Sequence, residues 1–380
     1  MDMKKNSASV SGMLKTYRAD ALFACSAIHK EELSMKKNLA VIFGGCSPEY
    51  PVSLQSAFSV IEHIDRERYE PILLGITRQG AWYRYTGDPA AIPEDTWLGT
   101  HCVPAFLCPD RTRQCVLELG IDGVRETHID LAFPVLHGKN GEDGTIQGLI
   151  ELAGIPLVGC GTLSSALCMD KDRAHRLVEL AGIRAPKSFT ITADTTMETI
   201  RSGAEKLGYP LFVKPVRAGS SFGITKVAAE GELDAAVTEA LEYDDTVILE
   251  ETIPGFEVGC AVLGGKELTI GEVDEIELSR GIFDYTEKYT LKTSKIHTPA
   301  RIDEETARRV KAAAATVYRA LDCRGFARVD LFLTPAGEIV FNEVNTIPGC
   351  TIHSRYPGMM KAVGIDFSTL IDRLLEEALA

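Results

Sequence analysis

An apolar strand, a glycine-rich turn and a helix follow one another twice in the first half of the chain. Residues 38–43 are apolar and lead through two glycines into a helical stretch at 52–64, and a further strand is predicted at 69–76. Residues 129–136 repeat the strand, and the glycine-rich segment HGKNGEDG connects it to a helix at 145–153. This order is typical of an open parallel α/β sheet, in which ligands bind beyond the carboxyl ends of the strands.

The second half of the chain has a different pattern, with more strands and fewer helices. Helices are predicted at 171–181, at the alanine-rich segment 303–321 and at the C-terminus. The predicted strands are 188–192, 210–214, 224–227, 247–251, 258–263 and 267–275, with a final hairpin at 327–345. After residue 251 the strands are expected to be antiparallel, and a long loop at 279–298 interrupts them. The sequence therefore predicts an α/β (α+β) protein.

Composition excludes some classes of function. The 380 residues carry a net charge of −14, which argues against a nucleic-acid partner because phosphate backbones require basic surfaces. No apolar run approaches the roughly 18 residues of a membrane span, so no membrane association is expected. Ten cysteines are scattered without a C-x-x-C pair, which favours free thiols in the reducing cytoplasm over a disulfide framework or a zinc site.

Residues 1–34 are interpreted as an N-terminal extension that we expect to be disordered. They lack the apolar core and cleavage site of a signal peptide. Met35 then opens MKKNLAVIFGG, which has the form of a natural protein start, so the extension is read as an upstream start codon or a vector segment. A transit peptide is the alternative.

The segment LFVKPVRAGSSFG at 211–223 is a candidate phosphate-binding device. The chain has neither G-x-x-x-x-G-K-[ST] nor a complete dinucleotide fingerprint, since Ser164 stands where the third glycine is needed. In 211–223, glycines would let backbone N–H groups approach phosphate oxygens, Ser220 and Ser221 would add donors, and Lys214 would supply a positive charge. A plain hairpin with a surface turn is the alternative.

The hairpin at 327–345 is a candidate metal site. Period-2 geometry puts Arg328 and Asp330 on one face of its first strand, and Glu343 and Asn345 on one face of its second. A tight turn would bring Asp330 and Glu343 near each other on the same side. Two carboxylates and an amide are hard oxygen ligands suited to Mg²⁺ that bridges nucleotide phosphates, and Arg328 would meet a developing negative charge. A solvent-facing hairpin with alternating charges is the alternative, and the neighbouring phosphate loop weakens it.

From Met35 to the C-terminus the chain resembles the D-alanine–D-alanine ligase family of ATP-grasp enzymes. Seven segments carry the resemblance in family order: GGCSPEYPVSL (44–54), FPVLHGKNGEDGT (133–145), MDKDRAH (169–175), VKPVRAGSSFGI (213–224), ILEETIPGFEVG (248–259), EKYTLKTSK (287–295) and ARVDLFL…FNEVNTIPG (327–349). Within the family it is most similar to the VanG type of vancomycin resistance, which makes D-alanyl-D-serine. The resemblance implies ATP and two Mg²⁺ (or Mn²⁺) ions as cofactors, a D-alanyl phosphate intermediate, a role in peptidoglycan precursor synthesis and a homodimer.

The resemblance also implies domains and residue roles. The expected domains are an N-terminal substrate domain at 35–170, a central ATP-grasp subdomain at 171–250, and a C-terminal one at 251–380 that carries an omega loop at 279–298. The implied ATP-binding residues are Lys171, Lys214, Ser220, Ser221, Glu250, Glu251, Ile253, Glu257 and Lys288, and the implied metal ligands are Asp330, Glu343 and Asn345. The implied catalytic residues are Glu49, Ser220, Tyr289, Arg328 and the backbone N–H of Gly349, and the implied substrate-binding residues are Glu49, His137, Ser354 and Arg355.

The second substrate is expected to be D-serine or D-alanine. Arg355 stands where housekeeping enzymes commonly carry leucine or methionine, and a guanidinium there favours a hydroxyl-bearing acceptor. The pair Lys288-Tyr289 argues against an ester product made with D-lactate. Three alternatives stay open at this stage: a housekeeping ligase that uses only D-alanine, another carboxylate–amine ligase of the ATP-grasp class, and a nucleotide-binding regulatory protein.

Overall fold

The computed structural model describes residues 36–219, 222–278 and 294–380, and these form three β-sheets with helices packed on them. The strands are β1 (Lys37–Gly44), β2 (Tyr69–Ile76), β3 (Trp82–Tyr85), β4 (Cys102–Leu107), β5 (Cys115–Gly120), β6 (Gly123–His128), β7 (Leu131–Val135), β8 (Ser188–Thr192), β9 (Leu211–Pro215), β10 (Thr225–Val227), β11 (Thr246–Glu251), β12 (Phe256–Gly264), β13 (Leu268–Leu278), β14 (Ser294–His297), β15 (Phe326–Leu333) and β16 (Ile339–Asn345). The helices are α1 (Tyr50–His63), α2 (Thr145–Leu152), α3 (Thr162–Met169), α4 (Lys171–Leu180), α5 (Met197–Leu207), α6 (Leu233–Leu241), α7 (Glu304–Ala320), α8 (Arg355–Ala362) and α9 (Phe367–Leu379). The mixed α/β class is confirmed.

The first sheet has seven strands in the order β6-β5-β4-β3-β2-β1-β7. β1 lies between β2 and β7 and pairs with both in parallel, as the strand–turn–helix pattern predicted. The strands β3 to β6 continue the sheet as an antiparallel meander, which the sequence analysis did not predict. β6 is exposed along most of its length, so it lacks the apolar alternation by which a strand is recognised in a sequence.

The two remaining sheets are antiparallel. The central sheet has the order β10-β9-β11-β8, and its β9–β10 pair flanks the predicted phosphate loop. The C-terminal sheet has the order β14-β13-β12-β15-β16. The prediction of a loop at 279–298 is therefore wrong for residues 294–297, which form the edge strand β14 against β13. The rest of that loop, 279–293, lies outside the described residues, as does the extension 1–34.

A shared aromatic cluster joins the first sheet to the C-terminal half. Phe326 on β15 is fully buried and makes edge-to-face contacts with Phe133 on β7 and with Tyr356 on α8, at centroid distances of 6.0 and 5.6 Å. The Tyr356 hydroxyl donates to the Val262 carbonyl at 3.0 Å, so this buried polar group is satisfied. The cluster fixes the first sheet against the C-terminal sheet. None of the described helices is both long and apolar enough to span a bilayer.

Replacing Phe326 with alanine is expected to lower the free energy of unfolding by about 3–5 kcal/mol, because it empties a fully enclosed position between the two halves. Urea denaturation followed by tryptophan fluorescence and circular dichroism measures this change. Phe106→Ala is the matched control, since 41% of Phe106 is exposed and its loss should cost about 0.5 kcal/mol or less. Equal effects of the two substitutions would contradict the assignment of Phe326 to a shared core.

Candidate active site

A cavity of about 500 Å³ lies between the carboxyl ends of β1 and β7 and the C-terminal sheet. This is where an open parallel sheet is expected to bind ligands. The chemically active groups that line it come from both halves of the chain: Glu49, His137, Glu142, Lys171, Gly219, Arg328, Glu343, Asn345, Gly349, Ser354 and Arg355. The cavity thus brings together most of the residues that the sequence analysis assigned to substrate, metal and oxyanion binding.

Glu49 and His137 form the end of the cavity next to the first sheet. Glu49 immediately precedes α1 and is 6% exposed, and His137 follows β7 and is 5% exposed. A Cβ atom at Gly138 would lie 2.3 Å from Oε2 of Glu49, and one at Gly219 would lie 3.0 Å from it. At Gly138, whose φ of +70° also favours glycine, a side chain would displace the Glu49 carboxylate, and at Gly219 the carboxylate would have to shift slightly. The geometry therefore places the Glu49 carboxylate against the predicted phosphate loop.

The His137 imidazole is buried and linked to both halves of the molecule. Its Nε2 lies 3.2 Å from the Ser56 hydroxyl on α1. Burial lowers the pKa of His137, and this effect outweighs the opposing influence of Glu49 and of a hydrogen bond with the Ile347 backbone. A neutral imidazole beside Glu49 suits a site that orients a substrate by hydrogen bonds.

Lys171 supplies a positive charge on the opposite wall. It is the first residue of α4, whose N-terminus is capped by the Asp170 side chain accepting the N–H of Arg173 at 3.0 Å. The Lys171 Nζ donates to the Ala218 carbonyl at 2.8 Å, which ties the lysine to the loop that precedes Ser220. A lysine ammonium at a helix N-terminus is a favourable arrangement for an anionic phosphate group.

Lys214 and Glu250 form a buried ion pair on neighbouring strands of the central sheet. The Lys214 Nζ donates to Oε2 of Glu250 at 2.6 Å, and Nε2 of His175 lies 3.7 Å from Oε1. Burial would raise the pKa of Glu250, but the charges of Lys214, His175 and Lys171 outweigh it and lower the pKa. Among the described residues, Oε1 of Glu250 and the Thr252 hydroxyl have no hydrogen-bond partner. Buried acceptors of this kind fit the exocyclic amine of an adenine base.

The other residues expected to read the nucleotide lie on either side of this pair. Glu251 accepts hydrogen bonds from Arg184 and from the Lys187 backbone N–H, both at 2.9 Å. Ile253 is half-buried in the connection to β12. Glu257, expected to bind ribose, lies on β12 and accepts a hydrogen bond from Arg355 at 3.2 Å. The cavity lining includes none of the five residues Lys214, Glu250, Glu251, Ile253 and Glu257, so their assignment to ATP stays a prediction.

The β15–β16 hairpin pairs the two predicted metal carboxylates directly. The pairing of Leu333 with Ile339 near the turn would place Asn342 opposite Asp330 if it continued unbroken. A β-bulge shifts the register between residues 330 and 331, so that Asp330 pairs with Glu343. The predicted proximity of the two carboxylates is therefore confirmed, and the bulge is the reason for it.

Three carboxylates lie in one row across the C-terminal sheet. Asp274 on β13 pairs with Gly259 on β12, Gly259 pairs with Asp330 on β15, and Asp330 pairs with Glu343 on β16. The glycine leaves the gap in this row that the Arg355 guanidinium fills, since a Cβ at Gly259 would lie 2.3 Å from the Arg355 Nη2. The row therefore consists of three carboxylates, of which Asp274 and Asp330 are buried, with the Arg355 guanidinium lying against those two.

Arg355, expected to contact the second substrate, lines the cavity and is held there by buried carboxylates. Its guanidinium donates twice to Asp274, both times at 2.8 Å, and lies 3.4 Å from Asp330. The Arg355 side chain is 7% exposed, and those of Asp274 and Asp330 are 0% and 1% exposed. The guanidinium is therefore a fixed part of the wall, and a substrate would meet it in one orientation.

Arg328 pairs with the same aspartate. It makes a bidentate contact with Asp330 through Nε at 2.8 Å and Nη2 at 2.7 Å. Asn345 donates its Nδ2 to Asp330 at 2.9 Å, which directs its carbonyl oxygen away from that carboxylate. The described residues contain no group of three or more His, Cys, Asp or Glu side chains placed to hold a metal. Two carboxylates and one amide oxygen nevertheless fit a Mg²⁺-like ion whose remaining ligands are phosphates and water.

Ser354 and Gly349 lie at the far end of the cavity. The Ser354 hydroxyl lies 2.8 Å from the Thr351 hydroxyl and accepts the Thr351 N–H at 3.1 Å. Ser354 also precedes α8, so its side chain faces the cavity at a helix N-terminus. A Cβ at Gly349 would lie 3.1 Å from the Ser354 Oγ, so Gly349 and Ser354 are immediate neighbours.

Glu142 is a cavity residue that the sequence analysis did not assign. It accepts the N–H groups of Gly138 at 2.8 Å and Ile347 at 3.1 Å. Burial and the neighbouring Glu49 raise the pKa of Glu142 to about 8, although the two N–H bonds oppose this. Its position inside the glycine-rich segment HGKNGEDG was the available signal. Ser220, Ser221, Lys288 and Tyr289 lie outside the described residues.

The fold and the site together indicate a class of enzyme. The central antiparallel sheet carries the Lys214–Glu250 pair, and the C-terminal antiparallel sheet carries Asp330 and Glu343. The parallel strands of the first sheet lead to Glu49 and His137, which line the same cavity as Glu343. Such an arrangement is suited to phosphoryl transfer onto a small substrate held by the parallel sheet.

Comparison with known proteins identifies the family. The family model "D-ala D-ala ligase N-terminus" matches residues 38–160, and "D-ala D-ala ligase C-terminus" matches residues 177–376. The crystal structure of the VanG D-Ala:D-Ser ligase from Enterococcus faecalis is 59% identical with a TM-score of 0.85, over 90% of this chain and 100% of that one.

Two further relatives cover nearly as much. The vancomycin/teicoplanin A-type resistance protein VanA of Enterococcus faecium is 45% identical over 90% of this chain and 98% of that protein. A putative D-alanine–D-lactate ligase of Streptomyces coelicolor is 47% identical over 90% of this chain and 97% of that protein. The chain belongs to the D-alanine–D-alanine ligase family, whose members depend on ATP and a divalent metal.

Glu343→Gln is expected to reduce metal- and ATP-dependent turnover by at least about a hundredfold, because it removes one of the two anionic ligands. Mn²⁺ binding in the presence of ADP, measured by electron paramagnetic resonance, should weaken in parallel. The fold should be retained, whereas Asp330→Asn should also destabilise the protein, because it weakens the pairing of two buried guanidiniums.

Glu338→Gln is the matched control in the same hairpin, where Glu338 is exposed and pairs with Arg184. Its turnover and Mn²⁺ affinity should equal those of the unmodified protein. Normal Mn²⁺ binding in Glu343→Gln would remove Glu343 from the metal site.

Proposed function

We propose that the protein is an ATP-dependent ligase that joins D-alanine to D-serine, with D-alanine as the alternative second substrate. The observation that carries the proposal is the convergence of Glu49, Arg328 and Glu343 on one cavity, with Arg355 fixed in its wall. A D-Ala-D-Ser dipeptide made in this way would serve as a peptidoglycan precursor in vancomycin resistance, in keeping with the names of the relatives.

The first substrate is expected to lie between Glu49 and the metal hairpin. The Glu49 carboxylate would bind the ammonium group of D-alanine, and the neutral His137 imidazole would orient it from the same side. The D-alanine carboxylate would then attack the terminal phosphoryl group of ATP, so that D-alanyl phosphate forms and ADP leaves. Lys171 and Lys214 would stabilise the negative charge on the phosphates. Mg²⁺ held by Asp330, Glu343 and Asn345 would supply Lewis-acid stabilisation of the transferring group.

The second step requires an oxyanion site. The neutral amine of the second D-amino acid would attack the acyl carbon, and a tetrahedral oxyanion would form. The bond to the phosphate oxygen would then break, and the proton lost by the amine would leave with the phosphate as hydrogen phosphate. Arg328 and Gly349 both line the cavity, and the Arg328 guanidinium and the Gly349 N–H would donate to that oxygen. One donor of this kind is typically worth about 3–4 kcal/mol. Water must be excluded because it would hydrolyse the acyl phosphate. We propose that the segment 279–293, between β13 and β14, serves as the lid, with Lys288, Tyr289, Ser220 and Ser221 closing over the phosphates.

D-Serine is favoured by the fixed guanidinium of Arg355. Ser354 would receive the carboxylate of the second substrate. The next residue, Arg355, lines the same cavity, and its guanidinium is fixed by two hydrogen bonds to the buried Asp274. A site with buried polar groups accepts a substrate hydroxyl and disfavours the analogue that lacks it. An apolar residue at position 355 would instead favour the methyl group of D-alanine.

The proposal is tested by product identification. ATP, Mg²⁺, D-alanine and equimolar D-serine are incubated with the protein, and the dipeptides are identified by mass spectrometry. D-Ala-D-Ser should be the main product, and D-lactate should give little ester. Exclusive D-Ala-D-Ala would indicate the housekeeping activity, and a depsipeptide would contradict the expectation drawn from Lys288-Tyr289. Nucleotide binding without ADP formation would indicate a regulatory protein.

Arg355→Met is expected to shift the product ratio toward D-Ala-D-Ala by about tenfold or more, because it removes the polar partner of the serine hydroxyl. It should also lower the melting temperature, since the buried Asp274 loses both of its bonds to Arg355. Arg355→Lys is the control that keeps the charge alone. Its product ratio should lie between those of the unmodified protein and of Arg355→Met. An unchanged product ratio in folded Arg355→Met would mean that Arg355 does not select the acceptor.

We also propose a three-domain division at 35–170, 171–250 and 251–380, a homodimer formed through the N-terminal domain, and a cytoplasmic location. The family resemblance is the support for the dimer, and the scattered free cysteines are the support for the reducing compartment. Light scattering after size-exclusion chromatography tests the dimer. Because the chain has a mass of 41.4 kDa, a dimer should appear as a single species of about 83 kDa.

A further inference from the structure

Residues 346–351, here called the oxyanion loop, connect β16 to the segment before α8 and contain Gly349. Thr346, Ile347 and Cys350 are 2%, 4% and 1% exposed, so the loop is packed into the protein around the glycine. Buried backbone N–H groups need acceptors, and outside a helix or sheet these must come from side chains or water. The direction in which Gly349 presents its N–H therefore depends on what holds the loop.

Two acceptors from the N-terminal half hold the oxyanion loop on either side of Gly349. Glu142 Oε1 accepts the Ile347 N–H at 3.1 Å, and its Oε2 accepts the Gly138 N–H at 2.8 Å. The Ser56 hydroxyl on α1 accepts the Cys350 N–H at 3.4 Å. Ser56 and Glu142 both fall in the segment matched by the N-terminal family model, whereas the loop belongs to the C-terminal one.

We propose that Glu142 and Ser56 are positioning residues that hold the oxyanion loop so that the Gly349 N–H points at the developing oxyanion. This inference rests on the proposed function, in which Gly349 is an oxyanion donor. It adds a link between the two substrate-binding halves: Glu142 joins the loop to Gly138, which touches Glu49, and Ser56 joins it to His137. The N-terminal half, which would bind D-alanine, thus also fixes the donor for the second step.

A carboxyl group is specifically suited to position 142. In either protonation state both of its oxygens keep lone pairs, so both N–H groups can be accepted. A glutamine side chain has one acceptor oxygen, and its NH₂ group would face the other N–H. Glu142→Gln therefore preserves shape and volume while breaking one of the two bonds.

The test uses Glu142→Gln and Ser56→Ala in the full-length protein. Hydrogen–deuterium exchange read on peptides that cover 346–351 should increase in both variants. The kcat for dipeptide formation should fall about ten- to hundredfold, as for other groups that orient a catalytic residue, while the KM for ATP stays within about twofold. A general loss of folding would instead raise exchange throughout the chain.

Ser53→Ala is the matched control. Ser53 lies one turn earlier on α1, is fully buried, and bonds the Gly44 N–H and the Val135 carbonyl within the first sheet. It should cost a similar amount of stability without raising exchange at 346–351 or lowering kcat selectively. Ser56→Thr, which keeps the hydroxyl, should restore most of the kcat lost in Ser56→Ala.

The outcomes separate this inference from the proposed function. Increased exchange at 346–351 together with reduced kcat supports the inference. Unchanged exchange in both variants overturns it, whatever the activity. Unchanged kcat in variants whose loop has loosened overturns the positioning role. An unmodified protein that forms no dipeptide would overturn the proposed function and this role with it, and the exchange data would then still show whether Glu142 and Ser56 hold the loop.

Discussion

The row of buried charges on the C-terminal sheet is the constraint on which the rest of the active site depends. Asp274, Asp330 and Glu343 lie on three strands at matched positions, and the guanidiniums of Arg355 and Arg328 neutralise the first two. Such charges are costly to bury unless they are paired and hydrogen-bonded, so removing one partner is more destabilising than the pair is stabilising. The network therefore fixes α8, which begins at Arg355, against the C-terminal sheet and its β15–β16 hairpin.

The carboxylates of Asp330 and Glu343 differ in how strongly the protein already engages them. Asp330 is shared by two arginines and an asparagine, whereas Glu343 lines the cavity and is only half-buried. A divalent ion at the hairpin would contact the more exposed Glu343 first. If it also bound Asp330, it would compete with Arg328 for the charge of that carboxylate. The arginine assigned to the oxyanion and the carboxylates assigned to the metal are thus electrostatically coupled, and a substitution in one is expected to alter the other.

The glycine-rich turns were enough to place the parallel strands. Side-chain parity showed which residues share a face within each strand of the hairpin, but the meeting of Asp330 and Glu343 also depends on the register between the strands. The bulge that brings Glu343 opposite Asp330 could not be read from the sequence, because an unbroken ladder would have brought Asn342 there. Nor could the pairing of Arg355 with Asp274 be predicted, since 81 residues separate them and no local pattern records the contact. The roles assigned to Ser220, Ser221, Lys288 and Tyr289, which lie outside the described residues, remain predictions.

Among the contacts between the two halves in the described residues, three bear on the candidate site in different ways. The aromatic cluster around Phe326 fixes the sheets and carries no polar group into the cavity. The contact between Glu49 and Gly219 joins the site for the first substrate to the phosphate loop. The bonds from Glu142 and Ser56 to the oxyanion loop join the same half to the second step. Glu142 and Ser56 lie next to Gly138 and His137, beside the proposed site for D-alanine. The N-terminal half would therefore both hold the D-alanyl phosphate formed in the first step and fix the oxyanion loop used in the second.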